Sequence, residues 1–303
     1  MILGIDIGGT AVKMGLVDRE GIIRARHEAD VCFDNYQTPI LTTVIREALQ
    51  FAERERTSIE FIGVSATGQI DDRTGVVIGT NGSIPNYEGS NIGRGLEEAF
   101  SLPVFVINDA NAAALGECFA GRAKGMQHVL MITLGTGVGG GIVLGGKVFT
   151  GARGIAGELG HFPLYLGGAP CTCRSIGCFE NYASTAALVR MARAAAGEEV
   201  LNGRSIFERA QAGDRIMRTV LDRWIHDIAA GIVGLVHIFN PQMVLIGGGV
   251  SAQEALLIKP LRERVLNACM PRFAEGLQIE AATLGNDAGI IGAAKYAMDR
   301  MRR

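Results

Sequence analysis

Two glycine-rich turns, DIGGT at residues 6–10 and TLGTGVGGG at residues 133–141, constrain this 303-residue chain more than any other feature. Each lies between two strand-like apolar runs, residues 2–7 and 11–17 around the first and residues 128–133 and 139–144 around the second. Glycines in such a turn let backbone N–H groups approach an anion, and Thr10 adds a hydroxyl. Alone, DIGGT reads equally well as a tight hairpin; a second turn of the same kind favours a pair of phosphate loops. Gly135, Gly137 and Gly140 stand in GxGxxG spacing. The residues after them read as a strand, not the helix that a dinucleotide fingerprint requires, and no GxxxxGK[ST] occurs.

Each half continues from its strand–turn–strand opening into alternating strands and helices. In the first half a third strand spans residues 22–29, a helix 38–55 with apolar residues in helical period, and a continuously apolar strand 59–65 of the kind buried in a parallel sheet. A polar, turn-rich loop runs to about residue 91, and a strand at 102–107 leads into Asn108, Asp109 and a helix. The second half adds a strand at 147–150, helices at 184–196, 205–212 and 214–239, and a strand at 243–246 that ends in Gly247, Gly248 and Gly249. A helix at 253–269, a strand at 277–281 and a helix at 287–301 complete it. This predicts an α/β protein of two domains with a cleft between them, residues 1–115 and 116–303, the seam lying where GRAKG breaks a helix. The last helix, about 287–303, is free to pack back on the first domain.

With 48% hydrophobic residues the chain can bury a large core. Its net charge of -2 and lack of a long basic stretch argue against nucleic acid as a partner. No apolar run reaches membrane-spanning length, and MILGIDIGGT enters a strand without a basic leader, so a soluble cytoplasmic protein is expected.

Three of the six cysteines, Cys171, Cys173 and Cys178, fall within eight residues, with His161 ten positions before the first. Three thiolates and an imidazole fill a tetrahedral shell around zinc and leave no open position, which reads as a structural site. A disulfide is disfavoured in a reducing cytosol, and unrelated buried thiols do not usually gather in a turn-rich loop.

DIGGT, TLGTGVGGG, ELGH, CTCRSIGCFE and IGGGVS occur in the order and spacing of the repressor, open reading frame and kinase (ROK) family of sugar kinases and sugar-sensing repressors, which the chain resembles over nearly its whole length. The resemblance implies two actin-like (ribonuclease H-like) domains and an ATP-dependent kinase using Mg2+ and structural Zn2+. The expected substrate is a hexose or N-acetylhexosamine, phosphorylated at the 6-hydroxyl in the manner of a glucokinase or N-acetylmannosamine kinase; a homodimer is also implied.

By the same resemblance Asp109 matches the general base, although an aspartate there is also a common helix N-cap. Gly68, Asn81, Asn86, Asn108, Glu158, His161 and Glu180 match the sugar-binding positions, His161 serving both zinc and sugar through its two ring nitrogens. Asp6 matches the residue that holds Mg2+ through water. Gly8, Gly9, Thr10 and Lys13 face the ATP tail with Thr133, Gly135, Thr136 and Gly137, while Gly247, Gly248 and Gly249 lie on the adenosine side. Lys13 reads equally as a solvated strand residue, and the last three glycines as plain turn chemistry.

The sequence departs from the family at Arg174, where a glycine is common in the cysteine motif, at Ser90, where many glucokinases carry tryptophan, and at TGQID, which replaces a proline–glycine turn. The alternatives are a non-catalytic sugar sensor and a transcription regulator on the same scaffold. Intact Asp109 and phosphate turns argue against the first. The second carries a DNA-reading domain ahead of the first strand, for which one residue leaves no room.

Overall fold

The computed structural model describes residues 1–80, 82, 84–197 and 200–302. Asn81 therefore lies outside the described residues. The strands are β1 (Ile2–Ile7), β2 (Ala11–Val17), β3 (Ile23–Asp30), β4 (Phe61–Ala66), β5 (Gln69–Asp71), β6 (Val76–Gly79), β7 (Val104–Asn108), β8 (Val129–Leu134), β9 (Val138–Leu144), β10 (Lys147–Val148), β11 (Met243–Gly247) and β12 (Gln278–Ala281). The helices are α1 (Ile40–Glu55), α2 (Ile92–Phe100), α3 (Asp109–Ala120), α4 (Glu180–Ala183), α5 (Thr185–Ala196), α6 (Gly203–Gln211), α7 (Arg215–Phe239), α8 (Lys259–Ala268), α9 (Pro271–Ala274) and α10 (Asp287–Met301).

Two five-stranded sheets share one pattern. The first runs β3-β2-β1-β4-β7 and the second β10-β9-β8-β11-β12. In the first, β1 pairs antiparallel with β2 across the glycine turn and parallel with β4 on its other side, and β7 extends the parallel half. In the second, β8 and β12 flank β11 in parallel register. The strands behave as their sequences require. β4, FIGVSA, is buried at every position, as a central parallel strand must be, whereas the IRARHEAD stretch of β3 alternates half-buried and exposed residues along the sheet edge.

The chain folds into two compact units, residues 1–125 with 141–157 and 283–303, and residues 126–140 with 158–282. Helix α10 belongs to the first. Ten of its residues are buried, including Ile290, Ile291, Tyr296 and Met298, because it packs on α3 along one side and on β1, β4 and β7 along another. A helix buried on two sides needs small residues at the closest approaches. A methyl group on Gly63 of β4 would come within 2.0 Å of the Ala293 carbonyl oxygen, and one on Gly292 within 1.7 Å of that of Ala112. Burying each large apolar side chain of α10 contributes about 1.5–3 kcal/mol.

Three features differ from the sequence reading. The polar loop before residue 91 contains the hairpin β5–β6. Helix α2 follows it, although Gly93 and Gly95 lower its intrinsic propensity; the Asn91 side chain caps it by accepting from Arg94 N at 3.0 Å. The expected helix over 253–269 is two pieces, a π turn at Glu254–Ile258 and then α8. Pro260 has no N–H to continue the α ladder from the preceding turn, so the helix resets there.

Candidate active site

Parallel pairing in the first unit sets Asp6 beside Ser65 and Ala66 beside Asn108, which brings the carboxyl ends of β1, β4 and β7 into line. Asp6 accepts from the Ser65 hydroxyl at 2.6 Å. Burial raises its pKa, while the Ser65 bond and the charge of Lys13 pull it down. Lys13 is the cross-strand partner of Asp6, so it faces the site. Asp6 also lies under the first turn of α10: a methyl group on Gly289 would come within 2.5 Å of its carboxyl carbon.

In the first glycine turn, Gly8 N closes the hairpin on the Ala11 oxygen at 3.0 Å, whereas the amides of Gly9 and Thr10 donate to no group among the described residues. Two successive N–H groups with no acceptor among the described residues can form an anion-binding concavity.

Asp109 is the first residue of α3, and its cap is the preceding residue. Asn108 has extended backbone geometry, and its Oδ1 accepts from Ala110 N at 3.0 Å and Asn111 N at 3.2 Å. Its Nδ2 donates to the Gly68 oxygen and to Asp109 Oδ1, both at 2.9 Å. The capping role that the sequence also allows for Asp109 therefore belongs to Asn108. The half-buried Asp109 carboxyl has its pKa raised to about 6, chiefly by burial and further by the charge of Asp6; bonds from Ala110 N–H, Thr67 and Asn108 oppose the rise. Ser65 and Thr67 support the two carboxylates, yet as ordinary hydroxyls in an apolar strand and its exit they carry no sequence signal. Asn86 is exposed with left-handed backbone (φ 56).

In the second unit, the turn after β8 is closed by Gly135 N donating to the Gly137 oxygen at 3.0 Å, and the amides of Thr136 and Gly137 donate to no described group. Glu180 Oε2 accepts from Val138 N at 3.0 Å, so this carboxylate braces the turn. Thr133 pairs in register with Gly247, which brings the glycines that follow β11 to the same end of the sheet. Gly135, Thr136 and Gly249 line one pocket of about 730 Å3 together with Arg190 and Arg193 of α5 and Asn202 at the start of α6.

His161 ends a 3-10 turn, and Cys178 stands just before α4. The imidazole nitrogen and three sulfurs all lie within 4.8 Å of one another. His161 Nδ1 is 3.7 Å from Cys171 Sγ, and Cys173 Sγ is 3.5 Å from Cys178 Sγ, with no disulfide between them. Thiolates around a tetrahedral zinc at ~2.3 Å stand about 3.8 Å apart, so this donor set fits the metal. With Nδ1 turned to the sulfurs, Nε2 is left on the side of Glu158, 4.0 Å from its Oε2. Arg174, where the family commonly has glycine, sits in the loop with φ 71.

The sequence profile of the ROK family matches residues 2–300. The chain belongs to the ROK family. A glucokinase from Thermotoga maritima is 34% identical over 313 residues, covering 99% of this chain and 98% of the relative. The crystal structure of a ROK family glucokinase from Streptomyces griseus, in complex with glucose and AMPPNP, superimposes with a TM-score of 0.81 at 33% identity and covers 98% of this chain and 99% of that one. ROK regulators match too: a xylose repressor from Caldicellulosiruptor bescii is 29% identical over 96% of this chain and 76% of its own length. The fold is accordingly the actin-like, two-domain α/β fold of ROK kinases. Among the described residues no helix is long and apolar enough to cross a membrane.

Proposed function

We propose that this ROK protein is an ATP-dependent kinase that phosphorylates a hexose or N-acetylhexosamine at its 6-hydroxyl. The observation that carries the reading is Asp109, a half-buried carboxyl with its pKa raised to about 6, in the first unit with the anion-receptive turn 8–10. A base near neutrality can take a proton from a hydroxyl as that oxygen attacks phosphorus. The sugar oxygen then bonds to the γ-phosphorus, the bond to the β,γ-bridging oxygen breaks, and ADP leaves with that electron pair.

Gly8, Gly9, Thr10 and Lys13 would receive the phosphate tail with Thr133, Gly135, Thr136 and Gly137. Gly247, Gly248 and Gly249 would border the adenosine, Gly249 from the lining of the pocket beside α5. Mg2+, held near Asp6 through water, would neutralise charge on the transferring phosphoryl group. Gly68, Asn86, Asn108, Glu158, His161 and Glu180 would hold sugar hydroxyls, Gly68 through its backbone and the others through their polar side chains. Zinc bound by His161 Nδ1 and the three thiolates would fix the imidazole so that Nε2 points at the sugar.

A coupled ADP-release assay with Mg-ATP across hexoses, N-acetylhexosamines and β-glucosides tests the reading. Efficient turnover of one sugar, lost by several orders of magnitude in Asp109→Asn while sugar binding persists, is the expected result. A sugar that binds calorimetrically while none releases ADP would replace the kinase with a sensor.

A further inference from the structure

The first glycine turn has an anchor outside itself. Tyr36, 27 residues further along the chain, donates from its hydroxyl to the Gly9 carbonyl oxygen at 2.8 Å. The Gly9 carbonyl and the Thr10 N–H share one planar trans peptide unit and point in opposite directions. Holding the carbonyl toward Tyr36 therefore holds the Thr10 N–H away from it. That N–H is one of the two amides of the turn with no acceptor among the described residues, and Thr10 is exposed. The phenol thus sets the direction in which the turn presents a donor to an anion.

The loop that carries Tyr36 is built around this reach. Asn35 and Tyr36 are consecutive and both left-handed, with φ 56 and 62. Asparagine tolerates that region, but an aromatic residue rarely occupies it without compensating contacts. Here Asp34 Oδ2 accepts from Thr38 N at 2.8 Å and from Thr38 Oγ1 at 2.6 Å, and Asn35 N donates to the Cys32 oxygen at 2.9 Å. Backbone strain that its surroundings hold in place, at a residue bonded to a ligand-binding turn, points to a role in that turn.

Resting on the reading of residues 8–10 as a phosphate turn, we propose that Tyr36 is a positioning residue for the phosphoryl donor. It acts through the Gly9 carbonyl, orients the Thr10 amide toward the donor's phosphate tail, and touches no ligand itself. Its contribution therefore depends on the presence of phosphates and is silent toward the nucleoside and the sugar.

The test is Tyr36→Phe, which keeps the ring and removes the hydroxyl, with binding of adenosine, Mg-ADP and Mg-AMPPNP measured by calorimetry beside steady-state kinetics. The expected result is unchanged adenosine and sugar affinity, with Mg-AMPPNP binding and the KM for Mg-ATP weakened about 5- to 10-fold, the scale of one lost hydrogen bond. Equal weakening of all three adenine ligands, or of none, would reduce Tyr36 to a packing residue. Asn35→Gly relieves one left-handed residue and keeps the phenol, so it should retain the wild-type discrimination between adenosine and Mg-AMPPNP. Loss of that discrimination would place the effect in the loop backbone and overturn the proposal. A wild-type protein that binds none of the three ligands would remove the phosphate-turn reading itself, and the proposal with it.

Discussion

Asp6 lies next to the last residue of β1 and Asp109 begins α3 directly after β7, and their neighbours hold them differently. Asp6 has a serine hydroxyl and a cross-strand lysine; Asp109 has hydrogen bonds to neutral groups and the charge of Asp6. With its pKa near 6, Asp109 is ionised at neutral pH, so kcat/KM for the sugar should fall as pH drops through about 6, an acid limb readable in a pH–rate profile. The same shift predicts an effect on stability. The folded state holds the Asp109 proton more tightly than the unfolded chain, whose pKa is about 4. Stability from this group is therefore fully present below about pH 4 and is lost as pH rises through about 6. Asp109→Asn removes the charge and should stabilise the protein at pH 7–8 by on the order of 1–2 kcal/mol, a gain that vanishes below about pH 4 in thermal melts. Residue chemistry was only partly legible in the sequence. Asp109 stands out at a strand end, but assigning the cap to Asn108 needs the extended backbone at that residue. The direction of Lys13 needs the β1–β2 register.

The cysteine loop gathers an imidazole and three thiols whose spacing fits a metal. Its donor spacing was readable in the sequence; its backbone was not, because the reading of Arg174 depends on a dihedral angle. At φ 71 a side chain is strained where glycine is not. Arg174→Gly should therefore raise the melting temperature, by the equivalent of about 1 kcal/mol, with metal content unchanged. If the loop holds the proposed zinc, removing it with a strong chelator should loosen residues 158–178, seen as faster amide exchange in that stretch, and raise the KM for the sugar through loss of the proposed His161 anchor. Exchange that stays at the holo level after metal loss would mean that the loop is held by packing alone. The β5–β6 hairpin and α2 were hidden in the sequence for a related reason. Short elements held by a cap and by neighbours leave weak periodicity, and the glycines of α2 weaken it further.

At the scale of the molecule, the regular alternation of strands and helices was legible because buried parallel strands read as unbroken apolar runs. The division of the chain between the two units is set by packing, which joins residues 141–157 and 283–303 to the first 125. Ending the chain after Gly285 would remove α10 and uncover β1, β4, β7 and α3 at once. Such a truncation should yield an insoluble or molten product, checked by solubility and near-ultraviolet circular dichroism. A truncated chain with a sharp cooperative melt would show that the sheet closes without the helix.

One apolar cluster contains Ile2, Val17 and Phe61 together with Ile290, Ala294, Ala297 and Met298, so residues more than 200 positions apart in the sequence share a core. During synthesis the early strands leave the ribosome long before their cover. At ~5–20 residues per second, the ~180 residues from the end of the first contiguous stretch to the end of the last helix take roughly 10–35 s to translate. For that interval the surface that α10 covers on β1, β4, β7 and α3 is exposed, so the time of greatest vulnerability to aggregation falls within the translation of each new molecule, before α10 has emerged.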